Sequence, residues 1–324
     1  MNYLLDKILN KEIFSFEEAS AFIHAIEEDR LTAEIISGIL IGIQLRGVQL
    51  EELKGFRQAL LELSITPDID VSEAIDLCGT GGDGKDTFNI STTSAFVLAA
   101  MGKRVIKHGN YGVSSSCGSS NVLEALGVKF SSNSDELNRS LNERNICFLH
   151  APLFHPTMKK VARIRKNLGV RTIFNSLGPL VNPVQPEYQL TGTYSLELAK
   201  VYQHLLKDQR TDFRVVYGMD GYDEITLTDD TRVFGKHVDT LINAAAFNAN
   251  SVDRSEIISG LSINSSAQII RNILKGKGTL AQNQVVAANV ATALQVTDTT
   301  QSLNNLFANS LEFIKSGKAI QQLN

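Results

Sequence analysis

The stretch DLCGTGGDGKDTFNISTTSAFVLAAMGKRVIKHGN, residues 76–110, decides the fold of this chain. A short apolar segment of the kind that forms a buried strand leads into a loop with four glycines, Gly79, Gly81, Gly82 and Gly84. Such a loop can adopt positive φ and bring its backbone N–H groups close to an anion, usually a phosphate. A helix over 91–102, with hydroxyl residues at its start, and a strand over 104–106 follow. The stretch therefore predicts a strand, anion loop, helix and strand unit.

Two familiar nucleotide-binding motifs match this loop only in part. The glycines satisfy G-x-G-x-x-G, but residues 87–90 separate them from the helix, and the second strand leads into Lys107 instead of an acid for the ribose. The loop also matches most of the ATPase pattern G-x-x-x-x-G-K-[ST], but Asp86 stands where a hydroxyl must bind magnesium. The sequence thus indicates a polyanion site of another design, with a plain tight turn as the alternative.

Composition and charge are those of an ordinary globular protein. The chain has 324 residues, 43% hydrophobic and 20% charged, which suffices for about two domains. Its 31 basic and 35 acidic residues give a net charge of −4, which argues against a nucleic-acid partner. Three cysteines without C-x-x-C spacing are typical of a reducing compartment. Because no apolar run reaches the roughly 20 residues that span a bilayer, we expect a cytoplasmic protein without a membrane partner.

Residues 1–68 predict a small α-helical domain. One capped helix begins after Ser15, and a second, strongly apolar helix begins after Thr32. Gly38 and Gly42, four apart on the second helix, favour a close helix crossing. This helix has apolar residues on most of its circumference, so it needs partners on more than one side. A subunit interface and burial within the same chain are equally open explanations.

Residues 69–324 predict a larger α/β domain with a mostly parallel sheet, because short strands alternate with helices. A second small-residue loop, 113–120, precedes an apolar helix and is either another phosphate site or a simple connection. Turn signals in RTIFNSLGPLVNP, residues 171–183, indicate that a segment near 166–187 leaves the sheet and joins the N-terminal helices as a hinge. Further strands are predicted at 147–149, 191–194, 214–217 and 224–227.

Two groups of charged residues complete the candidate site. The helix after Pro156 carries several basic residues, most of which suit a solvated face, and a single arginine aimed at a carboxylate is all that function needs. The acid pair Asp223 and Glu224 follows a glycine turn. Alone, such a pair is more often plain surface. Beside a polyanion loop it suits magnesium, which takes one or two carboxylates plus substrate phosphates.

Together these motifs resemble anthranilate phosphoribosyltransferase over essentially the whole chain. The resemblance is carried, in the family's order, by GTGGDGKDTFNIST at 79–92, KHGN at 107–110, GSSNVLEALG at 118–127, HPTMKKVARIRKNLGVRTIFNSLGPLVNP at 155–183 and the acid pair. It implies a small helical domain hinged to a larger α/β domain, of the nucleoside phosphorylase and phosphoribosyltransferase type. It also implies a homodimer formed through the helical domains.

The reaction implied by the resemblance transfers the ribosyl-5-phosphate of phosphoribosyl pyrophosphate (PRPP) to the amine of anthranilate and releases pyrophosphate, in tryptophan biosynthesis. The resemblance assigns PRPP to Gly79, Gly82, Asp83, Thr87, Asn89, Ser91, Thr92, Lys107 and Ser119. It assigns anthranilate to Gly79, Asn110, His155, Arg165 and Gly178, with Arg165 pairing the carboxylate, and Mg²⁺ to Ser91, Asp223 and Glu224. No covalent nucleophile is needed, because an aromatic amine is neutral at pH 7 and attacks once it is oriented.

Three positions depart from the family pattern. Tyr111 stands where an arginine is common and Ser116 where a lysine is common, so both remove positive charge near the expected phosphate path. Asn121 replaces a common acid and is expected to alter only a helix-start contact.

Two other functions remain open at this point. A pyrimidine nucleoside phosphorylase shares the architecture and part of the glycine loop, and phosphorolysis of thymidine or uridine would identify it. A non-catalytic nucleic-acid-binding relative shares the fold, and salt-sensitive binding would identify it.

Overall fold

The computed structural model describes residues 2–112, 117–207 and 212–323. The strands are β1 (Ile75–Leu77), β2 (Val105–Gly109), β3 (Ile146–His150), β4 (Tyr188–Gly192), β5 (Asp212–Gly218), β6 (Thr231–Gly235) and β7 (Asp239–Ile242). The helices are α1 (Asn2–Leu9), α2 (Phe16–Glu27), α3 (Ala33–Arg46), α4 (Leu50–Glu62), α5 (Ile90–Ala100), α6 (Ser119–Ala125), α7 (Ser134–Arg144), α8 (Ala151–Phe154), α9 (Pro156–Leu168), α10 (Ile173–Leu177), α11 (Leu196–Lys207), α12 (Ile263–Leu274), α13 (Leu280–Thr297) and α14 (Leu303–Lys315). No described helix is both long enough and apolar enough to cross a bilayer.

A single seven-stranded sheet runs through the α/β part in the order β3-β2-β1-β4-β5-β6-β7. Strands β1 to β5 are parallel to one another, whereas β6 pairs antiparallel with β5, and β7 pairs antiparallel with β6 at one edge. The predicted mostly parallel sheet is therefore confirmed. The carboxyl ends of parallel strands meet at one edge, so the segments that follow β1, β2 and β3 come together there.

The helices of the N-terminal region begin and cross where the sequence predicts. Ser15 and Glu18 form a reciprocal capping box at the start of α2, with Ser15 Oγ accepting from the Glu18 amide at 3.2 Å. The short helix α1 crosses α3 at Gly42, where an added Cβ would lie 2.0 Å from Ile8. The predicted close crossing is thus confirmed, and part of the apolar surface of α3 is buried within the chain.

The chain segment after α10 leaves the sheet and packs against the N-terminal helices. Leu180 and Val181 lie in a core shared with α1–α4, α9 and α11. Arg57 on α4 donates from Nε to the Leu180 carbonyl oxygen at 3.0 Å. A separate, larger core between the sheet and α5, α12, α13 and α14 supports the opposite face.

Two strand predictions need correction. Residues 224–227 are not a strand, because the side chain of Asn289 on α13 takes the place of a neighbouring strand. It accepts from the Ile225 amide at 3.3 Å and donates to the Ile225 carbonyl at 2.8 Å, and Leu227 then turns the chain with φ of +60°. The strand predicted at 191–194 is β4, which begins earlier, at Tyr188, in register with Ile75 of β1.

Candidate active site

A cavity of about 230 Å³ opens at the carboxyl ends of β1, β2 and β3, beside α9 and α10. Its walls combine the glycine loop, the start of α5, the end of β2, the start of α6 and the acid pair. All but one of the residues assigned above line it: Gly79, Gly82, Asp83, Thr87, Asn89, Ser91, Thr92, Lys107, Asn110, Ser119, Arg165, Gly178, Asp223 and Glu224. Segments distant in sequence thus meet around a single concave space, as ligand sites in open α/β sheets do.

The glycine loop has the unusual backbone that its sequence predicts. Gly81, Gly82 and Gly84 have φ of +60°, +72° and +74°, which side-chain-bearing residues rarely adopt. Gly79 is required for another reason: an added Cβ would lie 2.6 Å from Asp223 Oδ2. The loop therefore lies directly against Asp223, and its residues from Gly79 to Asp83 line the cavity.

The acid pair lies against the loop and the first turn of α5. Asp223 Oδ2 accepts from the Gly81 amide at 2.7 Å, and Glu224 Oε1 accepts from the Ser91 amide at 2.8 Å. Burial, and then the nearby Asp83 carboxyl, raises the pKa of Asp223 to about 7. Burial and the neighbouring Asp223 also raise the pKa of Glu224 well above its usual value. These carboxyl groups are poorly compensated by protein charge, which is the condition that a divalent cation relieves.

The metal ligands assigned above are close neighbours, but they are not a complete cage. Among residues 2–112, 117–207 and 212–323, no three His, Cys, Asp or Glu side chains are grouped as a metal site. The third assigned ligand, Ser91, supplies a hydroxyl instead, and Lys107 donates to that Oγ at 3.3 Å. Lys107 is only 3% exposed, so its ammonium group is a buried positive charge at the cavity.

Several buried polar atoms on the cavity wall have no hydrogen-bond partner among the described residues. They include Thr80 Oγ1, Asn89 Oδ1, Thr92 Oγ1 and His108 Nε2. Buried polar groups almost always form hydrogen bonds in native proteins, so a group of such atoms without partners indicates a polar ligand. These atoms belong to the glycine loop, the start of α5 and the end of β2.

Arg165 is a buried guanidinium without an acidic partner in the described part of the chain. It is 6% exposed, and its one hydrogen bond there runs from Nη2 to Asn175 Oδ1 at 3.3 Å. Burial lowers its pKa to about 10, and its guanidinium lies 5.7 Å from the ring centroid of Phe174. The same part of the cavity wall includes Met158, an apolar side chain. An apolar wall with an unpaired buried cation suits a flat ligand that carries a carboxylate.

His155 is the predicted site residue that does not line the cavity. It is fully buried, and its Nε2 hydrogen-bonds the Val181 carbonyl at 2.8 Å. Its ring packs at 5.2 Å against His108, which lines the cavity instead and bonds the Gly178 carbonyl through Nδ1 at 3.1 Å. Burial, and then His155, lowers the pKa of His108 to about 3, so its ring is neutral. His108 was missed although it stands inside KHGN, where the alternation of β2 left its direction open.

Of the residues that depart from the family pattern, Tyr111 and Asn121 are described and Ser116 is outside the described residues; Asn121 does not line the cavity. Tyr111 lines the cavity, donates its hydroxyl to Glu124 Oε1 at 2.8 Å and packs its ring against His150 at 4.7 Å. Asn121 does more than alter a helix start. Its Oδ1 accepts from the amides of Gly112, at 3.1 Å, and Gly118, at 3.2 Å.

Family models and known proteins agree with this architecture. Residues 2–64 match the helical bundle domain of a glycosyl transferase family, and residues 71–320 match its α/β domain. An anthranilate phosphoribosyltransferase of Christiangramia forsetii is 48% identical over 98% of this chain and 96% of its own length. That of Flavobacterium johnsoniae is 46% identical over 100% of this chain and 98% of its own length.

Solved structures give the same result. The crystal structure of anthranilate phosphoribosyltransferase from Thermus thermophilus superposes with a TM-score of 0.90 at 31% identity, covering 99% of this chain and 97% of that one. The Saccharomyces cerevisiae enzyme in complex with PRPP and Mg has a TM-score of 0.89 at 26% identity, covering 99% and 95%. The relatives favour neither a nucleoside phosphorylase nor a nucleic-acid-binding protein. With relatives of this similarity over their full length, the chain belongs to the anthranilate phosphoribosyltransferase family.

Proposed function

We propose that this cavity transfers the ribosyl-5-phosphate of PRPP to the amine of anthranilate with the assigned residues that line it. The observation that carries the proposal is one cavity with two kinds of unsatisfied charge. Within the described ranges, no basic side chain forms an ion pair with Asp223 or Glu224, and no acidic side chain pairs with buried Arg165. A metal-bound diphosphate and an aromatic carboxylate are together the ligands that complete both.

The diphosphate of PRPP would lie at the glycine loop and the first turn of α5. Backbone amides of the loop, the helix dipole and the Lys107 ammonium all favour an anion there. Mg²⁺, held by Ser91, Asp223 and Glu224, would neutralise charge on the diphosphate and so stabilise it as a leaving group. The raised pKa values of both carboxyl groups fit this assignment, because burial disfavours their charged forms and a bound cation would favour them. The relative from Saccharomyces cerevisiae in complex with PRPP and Mg supports it.

Anthranilate would lie beside α9 and α10. The Arg165 guanidinium would pair with its carboxylate, while Met158 and Phe174 provide an apolar wall for the ring. Asn110 and Gly178 also line the cavity and would orient the amine. We propose only an indirect role for His155: it packs behind His108 and so supports the ring that bonds the Gly178 carbonyl.

The chemistry follows from these positions. The amine nitrogen forms a bond to the anomeric carbon of the ribose as the bond from that carbon to the pyrophosphate oxygen breaks. Pyrophosphate leaves with the bonding electrons, and the secondary ammonium that forms releases one proton to solvent to give the neutral secondary amine. The protein contributes by holding the neutral amine in line and by stabilising the leaving anion, so no covalent intermediate with the protein is required.

We further propose that the protein is a cytoplasmic homodimer, associated through a helical domain of residues 1–68 that hinges on the segment near 166–187. Large apolar side chains exposed on the N-terminal helical region support the dimer, since Leu9 is 72% and Leu45 is 83% exposed. Light scattering would test it: a dimer mass that Leu45→Lys converts to monomer is expected. A monomeric wild-type protein at micromolar concentration would contradict the proposal.

The proposed activity is tested by ³¹P NMR spectroscopy of a mixture of the protein with PRPP, anthranilate and Mg²⁺. Stoichiometric release of pyrophosphate that requires anthranilate and Mg²⁺ is expected. A parallel reaction with thymidine and phosphate tests the phosphorylase alternative. Phosphorolysis of thymidine without transfer to anthranilate would overturn the proposal.

A further inference from the structure

We propose that Asn121 is a positioning residue, which fastens Gly112, after the end of β2, to Gly118, before the start of α6, and so sets the affinity for PRPP. The inference rests on the function proposed above. It adds a role for a side chain that does not itself line the cavity and that differs from the acid common in the family.

The first observation is a shared acceptor. Asn121 Oδ1 accepts from the Gly112 amide at 3.1 Å and from the Gly118 amide at 3.2 Å, so a single oxygen joins the two glycines. Gly112 and Gly118 both line the cavity, whereas Asn121 lies one helical turn behind them on α6. Loss of this oxygen would leave two amides unpaired and free to separate.

The second observation is the close approach of the two backbones. A Cβ added at Gly118 would lie 2.0 Å from the Gly112 nitrogen and 2.6 Å from its Cα. Gly118 has φ of −72°, so the backbone there would accept another residue, and the contact with Gly112 is what requires glycine. We call Gly112, Gly118 and Asn121 the clasp.

Neighbouring contacts transmit the position of the clasp to assigned site residues. The Asn110 carbonyl accepts from the Ser120 amide at 3.2 Å and from Ser119 Oγ at 3.3 Å, which ties the end of β2 to the start of α6. Tyr111 adds its hydroxyl bond to Glu124, also on α6. The clasp therefore holds Ser119, assigned to PRPP, in a fixed relation to the β2 side of the cavity.

The test compares Asn121→Leu, which removes the acceptor at similar size, with Asn121→Asp, which keeps it. Asn133→Leu is the matched control, because Asn133 Oδ1 also accepts two amides at a helix start, from Asp135 at 2.8 Å and Glu136 at 3.2 Å, away from the cavity. For Asn121→Leu we expect the KM for PRPP to rise about tenfold or more, equivalent to about 1.4 kcal/mol. We expect Asn121→Asp within about threefold of wild type and Asn133→Leu unchanged in KM despite a lowered Tm.

A second variant and a second readout keep the proposal testable if Asn121→Leu fails to fold. Gly118→Ala should force Gly118 away from Gly112 by a steric clash and so raise the KM for PRPP without removing the Asn121 acceptor. Hydrogen exchange at the Gly112 and Gly118 amides, which needs no activity, should be slow in wild type and Asn121→Asp and fast in Gly118→Ala. Fast exchange in wild type would overturn the clasp, whatever the enzyme's activity. Unchanged KM for PRPP in both disruptive variants, or equal damage from Asn121→Asp and Asn121→Leu, would overturn its role in binding.

Discussion

Replacing Arg165 by methionine should weaken anthranilate selectively. Methionine keeps much of the apolar stem against Phe174 and removes the guanidinium. A hydrogen bond to a charged group contributes about 1.5–3 kcal/mol, so the KM for anthranilate should rise about 10- to 150-fold while the KM for PRPP stays within about twofold. Arg163→Met, on the exposed face of the same helix, is the matched control and should change neither constant.

Aniline, which lacks the carboxylate, makes the Arg165 experiment specific. Wild type should discriminate strongly against aniline in kcat/KM, and Arg165→Met should lose most of that discrimination. The folded variant should be as stable as wild type or more stable, because it no longer buries a charge that has no acidic partner in the described part of the chain. A rise in the KM for PRPP alone, or undiminished discrimination against aniline, would refute the assignment of Arg165.

Two further predictions concern the acid pair. Asp223→Asn combined with Glu224→Gln should raise the Mg²⁺ and PRPP concentrations needed for half-maximal rate by about tenfold or more, because both charged ligands are lost. The circular dichroism spectrum should be unchanged. Kinetics identical to wild type would remove the pair from the site. In metal-free protein the folded Asp223 pKa of about 7 lies above the unfolded value of 3.8, so its contribution to the free energy of unfolding is present at low pH and falls as pH rises from about 4 to 7. Urea titrations in EDTA should show this fall in wild type and a flatter profile in Asp223→Asn; parallel profiles for the two proteins would contradict the raised pKa.

Local signals in the sequence predicted the elements nearest the site well. The four glycines predicted a loop of positive φ, and three of them have it. Capping residues and turn signals are local, so they also located α2 and the segment at Leu180 that leaves the sheet. The resemblance brought together the glycine loop, the acid pair and Arg165, which no spacing rule could have placed in one cavity.

The errors arose where distant residues decide local structure. Residues 224–227 have the apolar pattern of a strand, but Asn289, more than sixty positions later, hydrogen-bonds both backbone groups of Ile225. His108 lines the cavity where His155 was expected, and the reason is the same. The direction of the His108 ring depends on the Gly178 carbonyl, and that of the His155 ring on the Val181 carbonyl. The two hydrogen bonds that Asn121 Oδ1 accepts could likewise not be predicted from the sequence, because only the fold brings Gly112 next to Gly118.

The most direct test of the whole account is a crystal structure with PRPP, anthranilate and Mn²⁺, which replaces Mg²⁺. One structure would be of wild type, prepared at low temperature. The other would be of the Asp223→Asn, Glu224→Gln variant. In wild type the account predicts an anomalous peak between the diphosphate and Asp223 and Glu224, with the diphosphate at the glycine loop. It predicts the anthranilate carboxylate within hydrogen-bond distance of Arg165, and a weakened peak in the variant. A diphosphate bound away from the glycine loop, or anthranilate bound without contact to Arg165, would contradict it.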